Sequence, residues 1–252
     1  MRYFFKLAYD GGAFHGWQRQ PNASSVQQTI EEALSTVMRR PTPIVGAGRT
    51  DTGVHARCMY AHFDVDSPIA DAGSMLRGLN RLVGRAISLQ ELIEVAPDAH
   101  ARFDAVERTY RYFVSYSKNP FMRDRSWHSP TRLDIEAMNK AAALLLDTED
   151  FTSFAKLHTD NKTNICDVRH AEWTPSTDPY GCEGIVFEIS ADRFLRNMVR
   201  AVVGTLVDVG RHRLLHDGFA EIIRKQDRCS AGTSMPPQAL FLWDVKYPQG
   251  ML

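Results

Sequence analysis

Residues 44–65 read Ile-Val-Gly-Ala-Gly-Arg-Thr-Asp-Thr-Gly-Val-His-Ala-Arg-Cys-Met-Tyr-Ala-His-Phe-Asp-Val. The apolar stretches at 44–45 and 59–65 predict strands on either side of a loop, residues 46–56. Three glycines in this loop allow its backbone to take positive φ or to come close to a ligand. The stretch therefore predicts a strand–loop–strand unit around which the first half of the fold is arranged.

The loop places one carboxylate, Asp51, beside the guanidinium of Arg49. Thr50 and Thr52 can fix the loop through local bonds to backbone. A carboxylate near a guanidinium is expected to be ionised at neutral pH, and an anionic aspartate can act as a nucleophile. Asp, Gly and Thr are also ordinary turn residues, in which the aspartate only accepts backbone hydrogen bonds. The loop alone leaves both interpretations open.

Two kinds of nucleotide-binding loop are excluded. A P-loop needs Lys and Ser or Thr after its last glycine, whereas Val54 and His55 follow Gly53 here. A dinucleotide-binding loop needs a third glycine and a following helix, whereas this chain has Asp51 and a predicted strand.

The composition of the 252 residues, 44% hydrophobic and 24% charged, is that of an ordinary globular protein. Apolar runs stay below the roughly 18 residues that a membrane helix needs. The start of the chain, residues 1–6, lacks the apolar core of a signal peptide. We therefore expect a cytoplasmic protein that does not enter a membrane.

Metal ligation is not expected from the cysteines or histidines. The four cysteines lack a Cys-x-x-Cys pair, which is typical of reduced thiols in a core. His212 and His216 have helical spacing but lack the glutamate of the zincin pattern, so a surface helix end or turn is the simpler interpretation.

Net charge is zero, so overall charge gives no reason to expect a nucleic acid partner. Of the 30 basic residues, however, 23 are arginine, whose planar guanidinium suits phosphate contacts and stacking on bases. Solvated surface charge is the plain alternative for any one arginine cluster.

Apolar periodicity predicts the order βαββαβ twice. In the first half, strands are predicted at 3–9, 44–45, 59–65 and 86–96 and helices at 25–40 and 71–83. In the second half, strands are predicted at 109–116, 164–173, 184–191 and 240–247 and helices at 134–146, 194–209 and 219–226. The order predicts an α+β fold of two ferredoxin-like halves, 1–103 and 104–252. The halves are expected to form a joined, mostly antiparallel sheet, with helices on one face and an active-site cleft between the halves.

The second half is expected to supply an aromatic ring and a cation to that cleft. Tyr110 and Tyr112 alternate with Arg111, so the two tyrosines share one face of a strand. Arg196 and Arg200 are four apart on an otherwise apolar predicted helix. An arginine that turns inward there needs a carboxylate partner, for which the aspartate of the loop is a candidate. A core aromatic and a surface charge are the alternatives for Tyr110 and Arg200.

The segment Gly48-Arg49-Thr50-Asp51-Thr52-Gly53-Val54-His55-Ala56 resembles the aspartate loop of the tRNA pseudouridine synthase A family. Other segments fit the family pattern in order along nearly the whole chain: 9–12, 16–20, 101–103, 110–112, 150–154, 194–200, and 236–237 through 247–248. Thr52 stands where alanine is common.

The resemblance implies an isomerase without cofactor or metal that converts uridine to pseudouridine at positions 38, 39 and 40 of the tRNA anticodon stem-loop, as a homodimer. It implies that Asp51 is the nucleophile and that Tyr110 stacks on the target base and handles protons. Arg200 would pair with Asp51, and Arg49 would fill the space left by the flipped base.

Further residues are expected to bind the substrate. His55, Arg19 and Arg196 join Tyr110 and Arg49 in this expected tRNA-binding set. Readout would be mainly of phosphates rather than base edges.

The sequence does not choose the atom that Asp51 attacks: C6 of the base, C1′ of the ribose, or a ribose proton removed toward a glycal. Two other function classes fit the sequence less well. A non-catalytic RNA-binding module of the RRM kind would show the RNP aromatic pattern, which is absent. A carboxylate glycoside hydrolase would need a second acid or base carboxylate, and the loop offers only Asp51.

Overall fold

Residues 1–107 fold in the predicted order βαββαβ. The computed structural model describes residues 1–156 and 163–252. The elements of this half are β1 (Arg2–Tyr9), α1 (Val26–Met38), β2 (Val45–Gly46), β3 (His55–Asp64), α2 (Ala72–Leu82) and β4 (Ile87–Val95). Strand β1 lies between β3 and β4 and is antiparallel to both, and β2 pairs antiparallel with β3. The strands pair in the order β4-β1-β3, the short β2 pairs with the second half of β3, and the loop that carries Asp51 connects β2 to β3.

Local signals position the two helices of this half. Ser25 caps α1 by accepting the backbone N–H of Gln28 at 3.3 Å, as its place before an apolar periodic run predicts. Asp71 caps α2 in the same way through the N–H of Ser74, at 2.8 Å. Asn80 of α2 then bonds both the N–H and the C=O of Leu89 on β4, which fixes the helix to the sheet.

The end of the chain belongs with the first half, which differs from the predicted division at 103 and 104. The two compact units are residues 1–107 with 242–252, called the first unit, and residues 108–241, called the second unit. The Tyr247 hydroxyl donates to the Ala101 carbonyl oxygen at 2.6 Å, and Lys246 bonds Glu107 at 2.7 Å. Such contacts join residues far apart in sequence, so apolar periodicity carries no sign of them.

In its described residues, the second unit contains an antiparallel three-strand arrangement and three α-helices. Its elements are β5 (Glu107–Ser115), β6 (Trp127–His128), α3 (Ile135–Ala143), β7 (Val168–Thr177), β8 (Glu183–Ala191), α4 (Met198–Gly210), α5 (His216–Lys225) and β9 (Leu240–Lys246), in which the division between units falls. Strand β8 lies between β5 and β7, antiparallel to both, and the short β6 runs parallel to the end of β5. The core is closed by large buried rings, among them Trp173, Phe154, Phe187 and Phe219.

The α+β class and the mostly antiparallel strand pairing are confirmed within each unit. Joining of the two halves into one sheet with a cleft between them stays a prediction. Among the residues that the structure describes, no helix is long and apolar enough to cross a bilayer.

Helix α4 begins later than predicted, at Met198 instead of residue 194. The residue before it, Asn197, has φ 66°, a left-handed conformation that cannot continue a right-handed helix. Arg196 therefore precedes the helix, and the prediction that it shares a helix face with Arg200 is wrong. Leu195 continues the apolar helical pattern in the sequence. In the structure its side chain is buried, but the residue lies in a segment without regular secondary structure.

Candidate active site

Asp51 begins a tight turn that leads directly into β3. The Val54 N–H donates to the Asp51 carbonyl oxygen at 3.1 Å, and Gly53 has φ 79° at the third position of the turn. Such a position favours glycine because a side chain there meets the backbone. The Asp51 side chain is half-buried, whereas Arg49 is exposed. The turn thus presents a carboxylate on a backbone whose direction is fixed on one side by a strand.

A second loop, residues 10–20, lies against the Asp51 turn through two glycines. A Cβ at Gly11 would lie 1.9 Å from the Val54 carbonyl oxygen, and one at Gly16 would lie 2.6 Å from the Thr50 carbonyl oxygen. Both distances are far below van der Waals contact, so the two backbones meet only because these residues lack side chains. The N–H of Trp17 donates to the Thr50 carbonyl oxygen at 3.2 Å. The two loops thus pack against each other and form one layer held by these contacts.

Buried polar side chains hold this layer to the sheet. The hydroxyls of Thr50 and Tyr9 are 2.8 Å apart, and both residues are buried. His55, expected to bind substrate, has a side chain that is only 2% exposed. Its Nδ1 accepts the Gly11 N–H at 3.1 Å and lies 3.1 Å from Oδ1 of Asp10. The structure therefore places His55 beneath the two loops, where it can fix their spacing.

Arg19 lies at the far end of the 10–20 loop, with its side chain 59% exposed. Its Nη1 is 3.3 Å from a carboxylate oxygen of Glu31, and its backbone N–H donates to Gln27 at 3.1 Å. The carboxylate of Glu31 also accepts the Ile44 N–H and the Gln27 amide, at 3.1 and 3.0 Å. One buried carboxylate of α1 thus connects the loop of Arg19 to the strand that enters the Asp51 loop.

Tyr110 lies midway along β5, opposite Ile189 of β8. Its half-buried ring meets the ring of Phe194 edge to face, with centroids 5.1 Å apart and planes at 88°. Arg111 projects to the other side of the strand, where its Nε bonds Glu188 at 2.5 Å. The predicted alternation is confirmed, and Phe194 sets the orientation of the Tyr110 ring.

Tyr112 shares the face of Tyr110 but is fully buried. Its hydroxyl donates to the Pro236 carbonyl oxygen at 3.1 Å. Burial raises the pKa of Tyr112, and nearby Arg200 acts in the opposite direction. Tyr112 therefore stays neutral and structural, which separates its role from that of Tyr110.

Arg200 lies in the first turn of α4 and is held by a neighbouring extended segment. Its Nε donates to the Met235 carbonyl oxygen at 2.6 Å, and the Met235 N–H donates to the Arg200 carbonyl oxygen at 3.0 Å. The segment approaches so closely that a Cβ at Gly204 would lie 1.9 Å from the Thr233 carbonyl oxygen. The backbone bond holds the segment beside the helix, and the Nε bond restrains the guanidinium. Arg196 is exposed just before the helix, where its carbonyl oxygen accepts the Lys156 N–H.

Within the first unit, Arg49 and Asp51 lie in one loop, and His55 begins the strand that follows it. Within the second unit, Tyr110 and Arg200 lie on neighbouring elements, each oriented by a named contact. Pairing of Asp51 with Tyr110 and Arg200 stays a prediction.

Comparison with known proteins decides which family these loops belong to. A model of the tRNA pseudouridine synthase family matches residues 7–104 and 141–248. The chain belongs to the tRNA pseudouridine synthase family. It is 56% identical over 248 residues to the tRNA pseudouridine synthase A of Parabacteroides distasonis, covering 98% of this chain and 96% of that protein. Identity to the Bacteroides fragilis protein of the same name is 54%, over 98% of this chain and 97% of that one. Identity to the Exiguobacterium sibiricum protein of that name is 38%, over 98% of this chain and 97% of that one.

The family match includes the Asp51 loop in its first range and Arg200 in its second. Tyr110 falls between the two ranges, although the pseudouridine synthase relatives align over nearly the full chain. Its place in the site thus rests on its position in β5 and on the resemblance of residues 110–112.

Sequence reasoning did not find the residues that hold this pseudouridine synthase site in place. Glycines 11 and 16, the Tyr9–Thr50 pair, Phe194 and Met235 act through contacts between distant segments. Several of them lie in segments that fit the family pattern. The pattern marked those segments without indicating what each residue contacts.

Proposed function

We propose that this protein isomerises uridine to pseudouridine in tRNA, at positions 38, 39 and 40 of the anticodon stem-loop. One observation carries the proposal: the half-buried Asp51 lies on a turn held by the close contacts of Gly11 and Gly16, in a chain that is 56% identical to a protein named tRNA pseudouridine synthase A. The reaction breaks the bond between C1′ and N1 of the uridine, rotates the uracil and rejoins it through C5. No electrons are gained or lost, so the reaction needs a carboxylate, positioning and a pocket with little water.

Asp51 is proposed as the nucleophile. Its backbone is fixed by the Val54 bond and by the close contacts of Gly11 and Gly16, which reduces the motion that an attacking group must lose. Attack at C6, attack at C1′, and removal of a ribose proton toward a glycal all use this one carboxylate.

Tyr110 and Arg200 are proposed as its partners. The edge contact with Phe194 orients the Tyr110 ring for stacking on the extruded uracil, and the Tyr110 hydroxyl is proposed to handle the proton. Because the Met235 carbonyl fixes Nε of Arg200, we propose that the Nη atoms of this arginine stabilise the Asp51 carboxylate.

The other predicted site residues each have a different role in this proposal. Exposed Arg49 fills the space that the flipped base leaves in the stem. Arg19 and Arg196, also exposed, contact tRNA phosphates. Buried His55 acts as a positioning residue through Gly11. We further propose that the enzyme acts as a homodimer in the cytoplasm and uses no cofactor.

Tritium release from tRNA that carries 5-[³H]uridine tests the proposal, because the isomerisation replaces the hydrogen at C5. The purified protein is expected to release tritium, and Asp51→Ala is expected to bind tRNA with unchanged affinity yet release none above background. Thr52→Ala is the matched control, since it alters the adjacent loop side chain and should retain activity.

Substantial release by Asp51→Ala would refute the nucleophile role. Binding of tRNA by the unmodified protein without any release would instead favour a non-catalytic RNA-binding module.

A further inference from the structure

A depression of about 630 Å³ lies in the second unit where α4 ends and α3 begins. It is lined by residues 130–134, which lead into α3, and by residues 210–213, at the end of α4. Three arginines against one aspartate leave an excess of two positive charges before His212 is counted. A concave surface with this balance favours an anionic ligand.

Aromatic rings hold two of these arginines in place. The Arg211 guanidinium carbon is 5.3 Å from the centre of the Trp127 ring, and that of Arg132 is 5.2 Å from the Tyr116 ring. Cations at this distance from ring faces are attracted and lose part of their rotational freedom. Arg132 is also paired with Glu183, so Arg211 and Arg213 are the stronger hydrogen-bond donors to an anion.

The backbone around the depression is fixed on both walls. The Asp134 N–H donates to the Gly210 carbonyl oxygen at 3.0 Å, and the Asp134 carboxylate caps α3 through the Ala137 N–H at 2.9 Å. His212 takes a left-handed φ of 56°, and the next N–H, of Arg213, returns to the Asp208 carbonyl oxygen at 2.9 Å. The turn that carries the arginines is therefore built into the end of α4.

The depression is remote from Tyr110 and Arg200. Helix α4 rises about 15 Å between Arg200 and Gly210, at 1.5 Å per residue. Strand β5 runs roughly 17 Å from Tyr110 to Ser115, where β6 pairs beside it and leads to residue 130. Two independent elements of the unit give the same separation, so a ligand at the depression does not touch Tyr110 or Arg200.

We propose that this depression binds backbone phosphates of tRNA, as a second contact that holds the substrate at a distance from the reacting base. The inference rests on the proposed function, which supplies the polyanion. Guanidiniums bind phosphate oxygens in pairs of hydrogen bonds, and phosphate contacts fix register without reading sequence. Arg211 and Arg213 would make these bonds, and the contact would fix the register of the RNA on the second unit.

The test compares Arg211→Gln/Arg213→Gln with Arg123→Gln, a control at an exposed arginine of the same unit that pairs with Asp124. Affinity for tRNA is measured from 50 to 300 mM salt, together with kcat and KM for tritium release. The double variant is expected to bind roughly tenfold more weakly, and its slope of log K against log salt is expected to fall by about two, one for each arginine. KM should rise while kcat stays within twofold of the unmodified enzyme.

A slope equal to that of the control would overturn the proposal. Arg213→Glu keeps the Trp127 contact of Arg211 and also changes the local charge by two, so it should weaken binding about as much as the double variant without disturbing that packing. If the double variant loses only binding of inorganic phosphate and keeps the full tRNA slope, the depression is a free-anion site and the proposal is wrong. If the unmodified enzyme releases no tritium, the proposed function fails, and this separates the two failures.

Discussion

Replacing Gly11 by alanine should disable the site without touching the substrate. The new Cβ would lie 1.9 Å from the Val54 carbonyl oxygen and 2.4 Å from its carbon. Real contacts of this kind need about 3 Å or more, so the 10–20 loop and the Asp51 turn must separate by at least about 1 Å. Forcing extra volume into a packed site costs about 1–3 kcal/mol, and a 1 Å misplacement of a reacting group can cost about 100-fold in rate.

The expected result is a fall of about 100-fold in kcat for tritium release at saturating tRNA, with tRNA affinity close to that of the unmodified enzyme. Gly48→Ala is the matched control in the Asp51 loop, because a Cβ at Gly48 meets no atom within 4 Å. It should retain activity within twofold and unfold at the same or a slightly higher temperature.

Thermal unfolding of both variants shows whether lost activity reflects a lost fold. A folded Gly11→Ala enzyme with normal kcat would refute the bracing argument. Equal losses in Gly11→Ala and Gly48→Ala would show that the loop tolerates no substitution at all, whatever its packing.

Three more outcomes follow from the structure. Thr50→Val should lower the free energy of unfolding by about 1–2 kcal/mol in urea titrations. Adding Tyr9→Phe should lower it little further, because both substitutions remove the same buried hydrogen bond. Full additivity of the two effects would contradict the pairing. Burial, with Arg2 nearby, lowers the pKa of His62 to about 4. Because the unfolded chain binds that proton near pH 6.5, stability should fall as pH drops from 6.5 toward 4, with roughly 2 kcal/mol from this residue at pH 4.5; His62→Gln should show a correspondingly shallower pH dependence, and an unchanged one would count against it. Tyr110→Phe should keep KM within threefold and lower kcat by about 10²-fold if its hydroxyl handles protons. An unchanged kcat would show that Tyr110 acts only by stacking.

Much of the fold follows from local sequence signals. Apolar periodicity predicted helices at 25–40 and 71–83, and the structure has them at Val26–Met38 and Ala72–Leu82. The start of α4 was predicted too early because Leu195 continues the apolar pattern. The left-handed conformation of Asn197 prevents the helix from extending back past Met198. Periodicity reports which residues are apolar and is silent on single backbone angles.

The candidate site was predictable in its chemistry but not in its construction. The aspartate loop stands out by composition, and Tyr110 and Arg200 by their positions on a strand and a helix. Burial of His55 and the close approach of Gly11 to Val54 depend on two loops that are about forty residues apart meeting in space. A single sequence holds no local signal for such a contact.

Mapping pseudouridine in tRNA from cells that lack this protein tests the central claim most directly. Cells that express the unmodified protein should carry pseudouridine at positions 38, 39 and 40, and cells that express folded Asp51→Ala at the same level should carry uridine there. Pseudouridine restored by Asp51→Ala, or absent with the unmodified protein, would contradict the account.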